Sequence, residues 1–228
     1  MKKLSTREFV LLALLVAVLI VLAYVNIPQP AGLSITFNMI PVAIAAIAVG
    51  PVGGAIIGGA FGLISFLQCF GICGFSGMGA ALVAVSPLLS FIQRFVPRLL
   101  DGFMLGYIYQ YLTIGIPEKR RRIVDCNGET TGYLITRENI PAPSWSNVFI
   151  ACYITGFMAA FLNTLFFMTA LVWLFGSTEY MQNSMAGRGM LTYIVAAVGV
   201  NGAVEMLVST VLTGAIGAAL IKAGLIKN

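Results

Sequence analysis

Arg94, Arg98 and Asp101 stand four and three residues apart inside an otherwise apolar stretch, so on a helix all three share one face. A second apolar stretch carries Asn163 and Thr164, and a third carries Asn201 and Glu205, again four apart. These residue types suit recognition rather than bond-making. A guanidinium can hold a carboxylate by two parallel hydrogen bonds. A primary amide offers donors and acceptors to amides and hydroxyls. Catalysis has little to work with: the chain has no histidine, the commonest general base and metal ligand, and no paired-Asp motif. An enzyme, a metal site and a cofactor are therefore not expected. The four cysteines, Cys69, Cys73, Cys126 and Cys152, match no metal or redox spacing and read as free thiols. Cys69 and Cys73 would pair only if their loop faces an oxidising space. No glycine run is followed by the Lys-Ser/Thr of a phosphate-cradling loop, so no ATPase site is expected in this chain.

The elements that must position these groups are membrane helices. The chain is 59% hydrophobic and 9% charged, against about 25% charged residues in a soluble domain, and its mean hydropathy is +0.97. Such a surface suits lipid rather than water. A span needs roughly 20 apolar residues. The runs Phe9–Val25, Thr36–Val49, Pro51–Leu67, Pro87–Tyr111, Asn147–Phe175 and Gly189–Ile221 predict an all-α integral membrane protein, a six-transmembrane-helix bundle forming one domain over residues 1–228. The first run exceeds the roughly 7–15 residues of a signal-peptide core and reads as a retained span. Gly50-Pro51 leaves almost no loop between spans two and three, which predicts a tight helical hairpin.

Basic residues give the orientation. With the N-terminus inside, the inner face receives Lys2, Lys3, Arg7, Lys119 to Arg122, Arg137, Lys222 and Lys227, and the outer connections only Arg188. Both termini are thus expected in the cytoplasm. Trp145 and Trp173 fall where interfacial aromatic belts sit. The net charge of +5 lies at the ends of apolar runs, not on one accessible face as nucleic-acid binding would require. The cytoplasmic connection from Thr113 to Ser146 holds Asn127-Gly128 between β-prone runs, which predicts a small hairpin. Its basic run reads as a positive-inside anchor that can also meet anionic lipid head groups.

Helical rise converts position into depth. Counted from the outer ends of their spans, Arg98, Asn163 and Asn201 fall at about 16, 18 and 18 Å, with Asp101 and Glu205 at about 21 and 24 Å. Gln93, Gln68 and Asn38 are expected above this layer, close to the outer surface. Ionisable groups at such depth are costly, and they mark functional sites by default. Together these residues predict a wet pocket opening outward, in which Arg98 takes a substrate anion and the asparagines orient it. If Arg98 serves packing instead, Asp101 or Glu205 is its expected ion-pair partner, Asp101 first. Pro97 frees the carbonyl of Gln93 and bends the helix. Gly54, Gly58 and Gly62 repeat every four residues in span three and predict close approach of a neighbouring backbone.

These residues resemble a family. Leu33-Ser-Ile-Thr-Phe-Asn-Met-Ile-Pro41, Gly50-Pro51-Val52-Gly53-Gly54, Phe95-Val-Pro-Arg-Leu99 and Asn163-Thr-Leu-Phe-Phe167 make the chain similar to the substrate-binding S component of energy-coupling factor (ECF) vitamin transporters. Among vitamin classes it looks most like the pantothenate type, with folate or riboflavin as alternatives. The resemblance implies uptake across a bacterial plasma membrane, with a transmembrane T subunit and two ATPase subunits as partners. It implies a T-subunit contact through an Ala-x-x-x-Ala pair on the first helix, matched by Ala13 and Ala17. It also implies that the subunit topples in the membrane to release its cargo. The long Thr113–Ser146 connection departs from the family. A self-contained secondary transporter or channel is the alternative class, but the internal repeats such folds carry are not visible.

Overall fold

A computed structural model describes residues 5–25, 27–28, 34–114, 121–124, 130–134, 145–185, 187 and 189–225. Eight α-helices occur among them: α1 (Thr6–Ala23), α2 (Met39–Val49), α3 (Pro51–Leu67), α4 (Gly77–Val85), α5 (Pro87–Ile114), α6 (Trp145–Phe175), α7 (Glu179–Met185) and α8 (Met190–Lys222). Two short antiparallel ribbons interrupt them: β1 (Ile27–Pro28) with β2 (Ser34–Ile35), and β3 (Arg121–Val124) with β4 (Thr130–Leu134).

Local chemistry sets the ends. A reciprocal capping box starts α1: the Ser5 Oγ accepts from the Glu8 N–H at 3.3 Å, and Glu8 Oε2 accepts from the Ser5 N–H at 2.6 Å. Gly50 ends α2 at φ 83°, a conformation that side chains with a Cβ resist. Pro51 then occupies the first turn of α3, where its missing N–H costs nothing. The hairpin expected at Gly50-Pro51 is therefore present.

Helix α2 is the axis of the bundle. Met39 to Ile47 are buried without a break, and α1, α3, α5, α6 and α8 all pack against it. At 11 residues it is only about 16 Å long. The most extensive packing joins α3 to α5, followed by α6 to α8. The glycine stripe explains the first. A Cβ on Gly54 would collide with the Gly102 carbonyl, one on Gly58 with the Arg98 carbonyl, and one on Gly62 would reach Phe95 Cα at 2.8 Å. On the other side Gly156 of α6 lies against the Ser209 carbonyl and Thr213 of α8.

Among the described residues four helical stretches are long and apolar enough to cross a membrane: Thr6–Ala23, Pro51–Phe70, Trp145–Phe175 and Gly202–Lys222. Helix α5 has the length, at 28 residues, but carries Arg94, Arg98 and Asp101.

Several expectations need correction. Helix α1 stops at Ala23 and α2 begins only at Met39, so Thr36 lies outside the helix predicted to contain it. Helices α4 and α7 interrupt stretches read as connections. The hairpin in the 113–146 connection is present as β3 and β4. Arg121↔Leu134 and Arg122↔Tyr133 share one register, which slips by a residue at Val124↔Thr130. The Asn127-Gly128 turn lies outside the described residues, as do Arg188 and Cys126. Cys69, Cys73 and Cys152 are free thiols.

Candidate ligand-binding site

One face of each of four helices, spaced as neighbouring turns, borders a common cavity of about 110 Å³. That is room for several waters, at roughly 15 Å³ of such space each. Helix α3 contributes Phe61, Ser65 and the following Gln68, and α5 contributes Arg94 and Arg98. Helix α6 contributes Asn163, Thr164, Phe167 and Met168, and α8 contributes Val198, Gly202 and Glu205. Thr36 and the Phe75–Met78 segment complete the wall. The glycine stripe has a functional consequence here, because Gly58 seats directly on the backbone of Arg98.

Both arginines are buried, Arg94 at 4% and Arg98 at 7% exposure. Arg94 is held by acceptors on two other elements. Its Nη1 donates to the Ser65 carbonyl at 3.2 Å and to Ser65 Oγ at 2.8 Å, and its Nη2 donates to Ser76 Oγ at 3.1 Å. Arg98 Nη1 donates to the Arg94 carbonyl at 2.8 Å. The Arg98 guanidinium lies 4.5 Å from the Phe61 ring centre and 4.9 Å from that of Phe167, and Arg94 lies 6.0 Å from Phe167. Ring faces attract cations, more strongly where water is excluded.

These contacts leave polar groups unsatisfied. Among the described residues no carboxylate forms an ion pair with either arginine. Arg94 Nε, Arg98 Nε and Asn163 Oδ1 are buried without a hydrogen-bond partner. An unpaired buried charge costs several kcal/mol, so a polar group placed in the cavity would be favoured. Counting formal charges, two guanidiniums and the Glu205 carboxylate leave the wall with a net single positive charge.

Glu205 is not an idle lining group. Its Oε1 accepts from the Thr36 N–H at 2.7 Å, across a sequence separation of 169 residues. It thereby pins the chain entering α2 against α8.

The structure sorts the predicted site residues. Arg98, Asn163, Glu205 and Gln68 share the cavity wall. Gln68 differs in one respect, because its Nε2 already donates to the Ala23 and Cys73 carbonyls, at 3.1 Å each. Asn201 lies on α8, but its side chain falls outside the described residues. Gln93 and Asn38 do not border the cavity. They are 0% and 1% exposed, and both amides lack partners. Asp101 is not the ion-pair partner of Arg98: it is fully buried and both its carboxylate oxygens lack a hydrogen-bond partner. Arg94 is the cavity residue that sequence reasoning left out of the site, although its position one turn from Arg98 was a usable signal. Ser65, Ser76 and Thr36 gave none, since small polar residues occur on any helix or loop.

Residues 7–217 match the family described as ECF transporter, substrate-specific component. No curated protein matches the sequence. Subunits of this family are multi-pass membrane proteins that bind a small molecule and work with a T subunit and ATPases, without being enzymes themselves. With nearly its whole length matched and a polar cavity among apolar helices, the chain belongs to the substrate-specific components of ECF transporters.

Proposed function

We propose that this subunit captures a monoanionic water-soluble vitamin, with pantothenate the first candidate, for ATP-driven uptake across a bacterial plasma membrane. One observation carries the reading: buried guanidiniums that have no carboxylate partner among the described residues share a cavity with an unsatisfied asparagine oxygen. Pantothenate offers one carboxylate, an amide and two hydroxyls. Arg98 takes the carboxylate, while Asn163 and Asn201 meet the amide and hydroxyls. Gln68, Gln93 and Asn38 are not assigned ligand contacts in this reading, since the first is engaged elsewhere and the others lie off the cavity. Glu205 repels the carboxylate and so faces the hydroxyl end.

In this reading α1, α2, α3, α5, α6 and α8 are the six crossing segments, with both termini in the cytoplasm. The T subunit docks on α1, where Ala13 and Ala17 are exposed between exposed Val10, Leu14 and Val18. Two ATPase subunits drive toppling and release through it.

The test is calorimetry on purified protein, with mass spectrometry of small molecules released on denaturation. Truncating one member of a buried charge pair costs about 2–5 kcal/mol, so Arg98→Ala weakens pantothenate binding about 30-fold or more while the protein stays folded. Unchanged affinity refutes the assignment of Arg98. Release of a different compound from the wild type refutes the vitamin.

A further inference from the structure

Arg94 does more than the reading above asks of it. Its guanidinium is as deeply buried as that of Arg98 and borders the same cavity. The two cations approach the same Phe167 ring. The three bonds to Ser65 and Ser76 use only part of its donor set, and Nε is buried with no partner. A structural arginine at this depth is expected to meet a carboxylate, and among the described residues none is paired with it. Among the described residues the one carboxylate in the wall, on Glu205, is engaged by the Thr36 N–H.

We infer that Arg94 is a second anion-recognition residue, which together with Arg98 forms a paired-guanidinium clamp that makes the site selective for a carboxylate-bearing ligand over neutral or cationic molecules of the same shape. This rests on the proposed capture function but adds a residue and a rule of selection. Two guanidiniums around one carboxylate can supply more donors than a single fork, and the second positive charge penalises any ligand that brings none to neutralise it. Ser65 and Ser76 hold Arg94 in place, so the clamp is fixed before ligand arrives. Gly79 leaves the space for it: a Cβ there would lie 2.6 Å from Arg94 Nη2.

The experiment compares pantothenate with panthenol, in which a neutral CH₂OH stands for the carboxylate, on the full-length protein. Wild type, Arg94→Gln, Arg98→Gln and Gly79→Ala are titrated, and the ligand released from denatured wild type is identified. Wild type is expected to prefer the carboxylate at least 100-fold. Arg94→Gln should cut that preference about tenfold or more, with panthenol affinity little changed. Gly79→Ala, which displaces the guanidinium while keeping its charge, should narrow the preference less. Equal loss for both probes in Arg94→Gln, or no loss, overturns the inference, because a purely structural arginine would affect both alike. If Arg94→Gln does not fold, an unchanged preference in Gly79→Ala overturns it. A released ligand without an anionic group overturns it outright. A released carboxylate other than pantothenate sinks only the vitamin assignment, and the titrations then use that compound and its primary amide. Loss of preference in Arg94→Gln but not in Arg98→Gln refutes both the proposed role of Arg98 and the clamp, and leaves Arg94 as the sole anion-recognition residue.

Discussion

Gly58→Ala tests whether the α3–α5 contact positions the ligand site or merely packs the bundle. The added methyl would collide with the Arg98 carbonyl oxygen, with the carbonyl carbon 3.1 Å away and Gly102 Cα at 3.5 Å. These are backbone atoms in the middle of a helix, so no side chain can swing aside. Restoring an ordinary carbon–oxygen separation of about 3.3 Å asks the two helices to part by about 1 Å. Overpacking of this kind costs roughly 1–3 kcal/mol, and the displaced segment is the one bearing Arg98. A buried two-point hydrogen bond tolerates little shift, so a loss of about 1.4 kcal/mol or more in binding, at least tenfold, is expected. Gly59→Ala is the matched control, because its methyl would meet only Phe95 and Leu99 side-chain carbons at 3.6 Å and beyond, which is normal contact. Thermal unfolding in detergent reports the packing term, and calorimetry with the bound vitamin reports the positioning term. The reasoning fails if Gly58→Ala matches Gly59→Ala in both measurements. If stability falls while affinity holds, the contact packs the bundle but does not position Arg98.

Removing the Glu205 carboxylate frees the Thr36 N–H, and a hydrogen bond to a charged group contributes about 1.5–3 kcal/mol. Glu205→Ala should therefore speed hydrogen exchange at the Thr36 amide about tenfold or more, and Glu205→Gln, which keeps an acceptor, should speed it less; identical exchange in all three proteins would dismiss the contact. On α1, Ala17→Leu adds bulk at an exposed residue that does not line the cavity. Ligand affinity should stay within about twofold, while co-purification with the T subunit and ATPases falls. Undiminished assembly would remove Ala13 and Ala17 from the docking surface.

Much of this protein is readable along the chain. The scarcity of charge and the lengths of the apolar runs decide that helices in lipid carry the fold. Constant helical rise turns residue number into depth, and this brought Arg98 and Asn163 to one cavity from a count alone. The glycine spacing in α3 announced a close backbone neighbour, although not that the neighbour would be α5. Rise says nothing about azimuth. Gln93 and Asn38 stand at plausible depths yet do not border the cavity, because the rotation of each helix is fixed by which of its faces the neighbours cover. The same limit hid Arg94 as a binding group, since its serine partners come from α3 and the cap of α4. It hid the work of Glu205 too, whose partner lies 169 residues away. Composition and period set what each helix is and how deep its groups lie. Only packing, which pairs residues without regard to their order in the chain, decided which of them meet.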